Sequence, residues 1–162
     1  MLTDLLSMLS PQNKRLFKFD TFAQGNEEQL LLESFSGSEG LSRLYELDLS
    51  LLSQRAGVKL KSLIGRAATL EIELADGSLR YINGYINRFS SQGSDGGFVR
   101  YSAVLGPWLW MLTCRFDSRI FQDKTVQDVI SEVFAGFGTL PKYDFRLSKV
   151  LKQHSYITQY RE

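Results

Sequence analysis

The side chains able to act on a substrate are few and scattered. Glu71 and Glu73 lie two residues apart in an alternating stretch, so both carboxylates share one strand face. Paired carboxylates can serve as acid and base in glycoside hydrolysis; the polar face of a surface strand carries the same pattern. Cys114 is the single cysteine and His154 the single histidine. A thiol with an imidazole base is a nucleophilic pair, but the apolar neighbours Leu112 and Phe116 predict that Cys114 packs as a small hydrophobe. His154 falls in a polar stretch and reads as solvated. Gly93-Ser94-Asp95-Gly96-Gly97 is glycine-rich, yet it lacks the Lys-Ser/Thr of a phosphate loop and joins two strands, so it reads as a flexible loop. Trp108 and Trp110, the only tryptophans, follow a Gly106-Pro107 break. They could stack on a sugar or a base. If the break opens a helical turn, however, residues two apart do not share a face, which favours core anchors over a platform. These residues name no catalytic, cofactor or metal set.

Positioning elements follow from hydrophobic periodicity. Residues 15–22 alternate around Phe17, Phe19 and Thr21, and 30–36 form a second strand beyond the turn residues 23–26. In 44–51, Tyr45, Leu47, Leu49 and Leu51 oppose Glu46, Asp48 and Ser50, the pattern of a half-buried strand. Residues 60–64 predict one helical turn. Strands 68–74 and 79–89 flank Asp76-Gly77, a strong hairpin signal, and the second carries Tyr81, Tyr85 and Phe89 on one parity with Ile82 and Ile86 on the other. Gly84, mid-strand, predicts a bulge or bend that curls the sheet. Residues 91–97 are expected as loop, and 98–105 return with Val99, Tyr101, Ala103 and Leu105 on one face. Three long strands and a glycine bend favour a coiled antiparallel sheet or small barrel.

Beyond the tryptophans, Thr125 and Asp128 make a capping box. Val126, Val129, Ile130, Val133, Phe134 and Phe137 form one apolar helical stripe, stopped by Gly136 and Gly138. Short strands are expected at 143–147 and 156–160. Leu2, Leu5, Leu6 and Leu9 give residues 1–13 the look of a leader with a short helix.

Composition narrows the function classes. The formal charge is +1, from 19 basic and 18 acidic residues, and residues 110–162 hold 8 basic and 6 acidic. No basic block suits nucleic acid. One cysteine excludes an internal disulfide and fits a reducing compartment. No apolar run nears the roughly 20 residues of a membrane span, and the N-terminus lacks a signal-peptide pattern, so synthesis in the cytoplasm is expected.

Several separated motifs occur in order: the run 30–49, which contains Leu30-Leu31-Leu32-Glu33-Ser34-Phe35; Leu63-Ile64-Gly65-Arg66; Asn83-Gly84-Tyr85-Ile86; Leu105-Gly106-Pro107-Trp108-Leu109-Trp110; and Ile120-Phe121-Gln122-Asp123-Lys124. With the final Gln159-Tyr160-Arg161-Glu162, this series resembles the VgrG family. These are spike proteins of bacterial type VI secretion systems, similar to contractile-phage tail hubs. The resemblance spans nearly the whole chain from about Lys14 and implies a mainly β, α+β chain. On it, residues 14–106 are a first hub β-barrel. Residues 107–162 hold the junction, the helix and the start of the following segment, so the chain is expected to be a fragment of a longer one. The parent is expected to be a homotrimer that caps the hexameric Hcp tube, meets baseplate and effector or cargo proteins, helps puncture target membranes, and is exported by the type VI apparatus. The family implies no enzyme, cofactor, nucleic acid or small-molecule substrate here. The structural anchors expected are Gly84, Pro107, Trp108 and Trp110, with the tryptophans locking the next segment against the barrel. The alternative is a carbohydrate-binding or glycan-hydrolysing β domain built on the tryptophans and Glu71/Glu73. A cysteine or redox enzyme on Cys114 is the third reading.

Overall fold

A computed structural model describes residues 16–21, 30–54, 57–95 and 97–162. The expected leader, 1–13, and the turn 23–26 lie outside them. The chain divides into two compact units, Met1–Pro107 and Trp108–Glu162.

The first unit is one curled six-stranded antiparallel sheet. Its strands are β1 (Phe17–Thr21), β2 (Leu31–Ser38), β3 (Glu46–Ser53), β4 (Ala67–Glu73), β5 (Leu79–Asp95) and β6 (Phe98–Gly106), in the spatial order β1-β4-β5-β6-β3-β2. The two ends of that order meet: Phe17 of β1 lies edge-on to Phe35 of β2 at 5.4 Å. The sheet is thus a half-barrel wrapped around its apolar face, as the coiled-sheet expectation required. Alternation built that face. Leu47, Leu49 and Leu51 of β3 stand opposite Leu105, Ala103 and Tyr101 of β6, and all six are buried. The short helix α1 (Leu60–Leu63) contributes Leu63 to the same core.

Three one-residue bulges interrupt the ladders. Glu33 is the extra residue in β2, and Asn87 and Gln92 are the extra residues in β5. Each adds local twist and re-aims its neighbours. The bulge is therefore not at Gly84, which pairs regularly with Ala68. Because Asn87 shifts the parity, Ile86 and Phe89, three apart, both point inward and are buried, whereas Tyr81 is exposed. The expected grouping of Phe89 with Tyr81 fails for that reason. Nor are residues 91–95 a loop. β5 continues to Asp95, because β6 offers hydrogen-bonding partners from Tyr101 to Phe98 and outweighs the weak strand preference of Ser and Gly.

The second unit holds α2 (Trp110–Thr113), β7 (Ser118–Lys124), α3 (Val126–Ala135) and β8 (His154–Tyr160), with β7 and β8 forming an antiparallel pair. β7 was not expected: Ile120 and Phe121 are adjacent apolar residues, so its alternation is blurred. β8 begins at His154, two residues earlier than expected, so the histidine opens a strand instead of lying in a loop. The strand expected at 143–147 is absent. The alternation of Tyr143 and Phe145 serves an aromatic contact, ring to ring at 5.3 Å, and no described strand lies beside it.

α3 starts where expected. The Thr125 hydroxyl oxygen accepts from the Asp128 N–H at 3.2 Å, and the Asp128 carboxylate accepts from the Thr125 N–H at 2.9 Å. Those bonds satisfy two of the donors that a helix start leaves open. Thr125→Ala should cost about 1 kcal/mol, read as a lowered midpoint for the second unit, and Thr125→Ser should restore most of it.

Candidate functional site

Of the residues singled out for chemistry, Glu71 is held in an ion pair, whereas Glu73, Cys114 and His154 are exposed. Glu71 of β4 accepts from the Lys18 ammonium of β1 at 2.6 Å, and this hydrogen bond raises Lys18 above its ordinary value. The neighbouring Glu73 is exposed, and its backbone N–H donates to the Leu16 carbonyl at 2.8 Å. The strand thus makes Glu71 half of an ion pair tying the edge strand to the sheet.

Cys114 does not pack as a small hydrophobe. It is exposed at the end of α2, where the helix stops and its backbone N–H reaches back to the Met111 carbonyl at 3.3 Å. Phe116, expected to cover it, is itself 78% exposed. His154 is also exposed and stands opposite Lys124 across the β7–β8 pair.

The tryptophans have different surroundings. Trp108 is 8% exposed. Its ring meets Phe134 of α3 edge-on at 4.7 Å and Phe137 at 6.3 Å, and its indole N–H donates to the Lys142 carbonyl at 3.3 Å. Trp110 is half-buried and opens α2, where its carbonyl accepts from the Thr113 hydroxyl at 2.7 Å. With one ring enclosed and the other at a helix start, the pair forms no stacking platform. Pro107, half-buried, directly follows the last residue of β6.

Gly84 lies against backbone. A Cβ built on it would stand 2.5 Å from the Gly106 carbonyl oxygen and 2.7 Å from the Tyr45 hydroxyl. Tyr45 donates from that hydroxyl to the Asn83 carbonyl, and burial pushes its pKa up. A glycine inside a strand signals close approach as well as a bulge, and close approach is what the structure shows at Gly84.

One polar cluster went unnoticed. The Glu33 carboxylate, aimed outward by its bulge, takes two hydrogen bonds from the Arg100 guanidinium at 2.9 and 2.8 Å and one from the Ser50 hydroxyl at 2.6 Å. It joins β2, β3 and β6 across 67 residues of sequence, and no short-range signal could reveal it. Arg100 and then Ser50 hold the Glu33 carboxyl below its ordinary 4.5. A depressed folded pKa stabilises fully above the unfolded value. Its contribution fades as pH falls from about 4.5 through the lower folded value. Partial exposure keeps the effect modest. In an NMR titration, Arg100→Gln should move the Glu33 midpoint up towards 4.5; an unmoved midpoint refutes the assignment.

Among the described residues, no group of three or more His, Cys, Asp and Glu side chains could hold a metal ion, and no helix is long and apolar enough to cross a membrane. The chain is 37% identical over 155 residues to the type VI secretion system spike protein VgrG1c of Pseudomonas aeruginosa, covering 96% of this chain and 21% of that protein. VgrG1b of the same organism is 36% identical over 155 residues, covering 96% of this chain and 20% of that one. The chain thus spans about a fifth of the length of these curated relatives. Among solved structures, an Escherichia coli component of the type VI secretion system superposes with a TM-score of 0.77 at 22% identity, over 90% of this chain and 39% of that one. That protein is described as structurally similar to the T4 bacteriophage tail proteins gp27 and gp5. Residues 38–162, from the end of β2 onward, match the phage tail baseplate hub (GPD) family, and the chain belongs to that family.

Proposed function

We propose that this chain is the N-terminal hub part of a type VI secretion spike and that it works by assembly, without catalysis. The observation that carries the reading is the joint match: spike proteins align over 96% of the chain, and its curled sheet is the fold of a type VI component. A half-barrel with a continuous buried core suits a rigid collar, because close-packed interiors deform little under load. In the whole spike, the hub forms a homotrimer, stacks on the hexameric Hcp tube, meets baseplate and cargo proteins, and leaves the cell through the type VI apparatus. Residues 14–106 are its first barrel, and the segment from 107 onward begins the next part of the hub.

The test is a chimera in which this chain replaces the matched residues of VgrG1c. It should sediment as a trimer and bind the Hcp tube protein. A stable, folded monomer with no Hcp binding would sink the reading.

A further inference from the structure

The second unit exposes more than a finished domain does. Across Trp108–Glu162 only Trp108 and Phe121 are buried. Its sheet has two strands of seven residues, and an isolated pair of that size is marginal in water. Directly opposite residues in an antiparallel pair share a face. Phe121 and Ile157 therefore form the inner face, where Phe121 is buried. The outer face carries Ile120, Tyr156 and Tyr160, which are 68, 69 and 71% exposed.

The two outer edges differ in kind. β7 carries Arg119, Asp123 and Lys124, the charges that keep edge strands from pairing. β8 runs Ser155-Tyr156-Ile157-Thr158-Gln159-Tyr160 with no charge, proline or glycine, and it is rich in strand-forming residues. Among the described residues it pairs with β7 alone. An uncharged, unguarded edge beside an exposed aromatic face is the surface that an added strand uses: backbone bonds supply affinity, and alternate side chains cover the face.

We infer that β8 receives a third strand, supplied by the part of the spike polypeptide that this chain does not include. The occupant is an extended segment of alternating apolar and polar residues, with the apolar ones over Tyr156, Thr158 and Tyr160. A source within the same polypeptide fits the proportions, since the relatives are about five times as long as the stretch matched here. This inference rests on the hub reading, and its test separates the two.

Backbone hydrogen exchange over residues 154–160 is compared between the 162-residue chain and the VgrG1c chimera, with sedimentation run alongside. The expected result is exchange slowed at least about tenfold in the chimera. Tyr156→Lys should leave the melting temperature of the isolated chain within about 1 °C and lower that of the chimera by about 4 °C or more. A trimeric chimera with unchanged exchange overturns the added strand and leaves the hub reading standing. Protection in a monomeric chimera supports the strand and overturns the hub reading. Protection already present in the isolated chain, appearing with a concentration-dependent dimer, assigns the edge to a second copy and overturns the inference.

Discussion

Trp108→Ala should lower the stability of the second unit by about 3–5 kcal/mol, the range for removing a buried tryptophan. The ring is 8% exposed and is one of only two buried side chains in that unit. It touches Phe134, and Phe134 in turn meets Tyr143 edge-on at 4.8 Å, so one ring connects the start of the unit, α3 and the irregular stretch after it. Its indole N–H also satisfies the Lys142 carbonyl. Truncation would remove the aromatic contacts and that hydrogen bond together. So small a core offers no second set of side chains to collapse into the space. The measurement is thermal unfolding followed by tryptophan and near-ultraviolet signals, with Trp108→Phe as the comparison. Trp108→Phe should retain the edge-on contact and lose less. A midpoint unchanged in Trp108→Ala refutes the anchor role.

The burial of that ring was legible because so large an apolar side chain behind a Gly-Pro break is expected in a core. The strands whose partners were also alternating strands were legible too: β3 announces its buried face in Leu47, Leu49 and Leu51, and β6 answers with Leu105, Ala103 and Tyr101. Reading failed where a partner, and not the strand itself, decides. Residues 91–95 are strand because β6 lies beside them, while 143–147 alternate and have no described neighbour to pair with. Bulges caused the other failure. A single extra residue at Asn87 reverses the side on which Phe89 emerges, and nothing local in Ile86-Asn87-Arg88 marks it. Cys114 was misread because an apolar neighbour in sequence was taken for one in space, and the end of α2 leaves both it and Phe116 in solvent. The family motifs were legible across these gaps because they depend on residue order and not on a correct strand assignment.

Gly84→Ala should be among the most damaging single-methyl changes in the first unit. A Cβ at 2.5 Å from the Gly106 carbonyl oxygen is far inside van der Waals contact, and the obstacle is backbone in a paired strand. The second obstacle, the Tyr45 hydroxyl at 2.7 Å, is held by its bond to the Asn83 carbonyl and swings away only by breaking that bond. Relief therefore requires β5 and β6 to separate where Tyr85 faces Gly106, next to the fully buried Ile86–Leu105 pair. Forced overpacking of this kind costs about 1–3 kcal/mol and more when backbone must move, so the upper end or beyond is expected. Gly77→Ala is the contrasting case: nothing lies within 4 Å of its Cβ, but φ is +79°, so its cost is conformational, about 1 kcal/mol. Adding Tyr45→Phe to Gly84→Ala distinguishes the two obstacles. If the hydroxyl is the barrier, the double variant recovers much of the loss. If the Gly106 carbonyl is the barrier, as its shorter distance requires, the double variant stays as unstable as Gly84→Ala alone. A Gly84→Ala protein that melts with the wild type would show that β5 and β6 do not approach this closely.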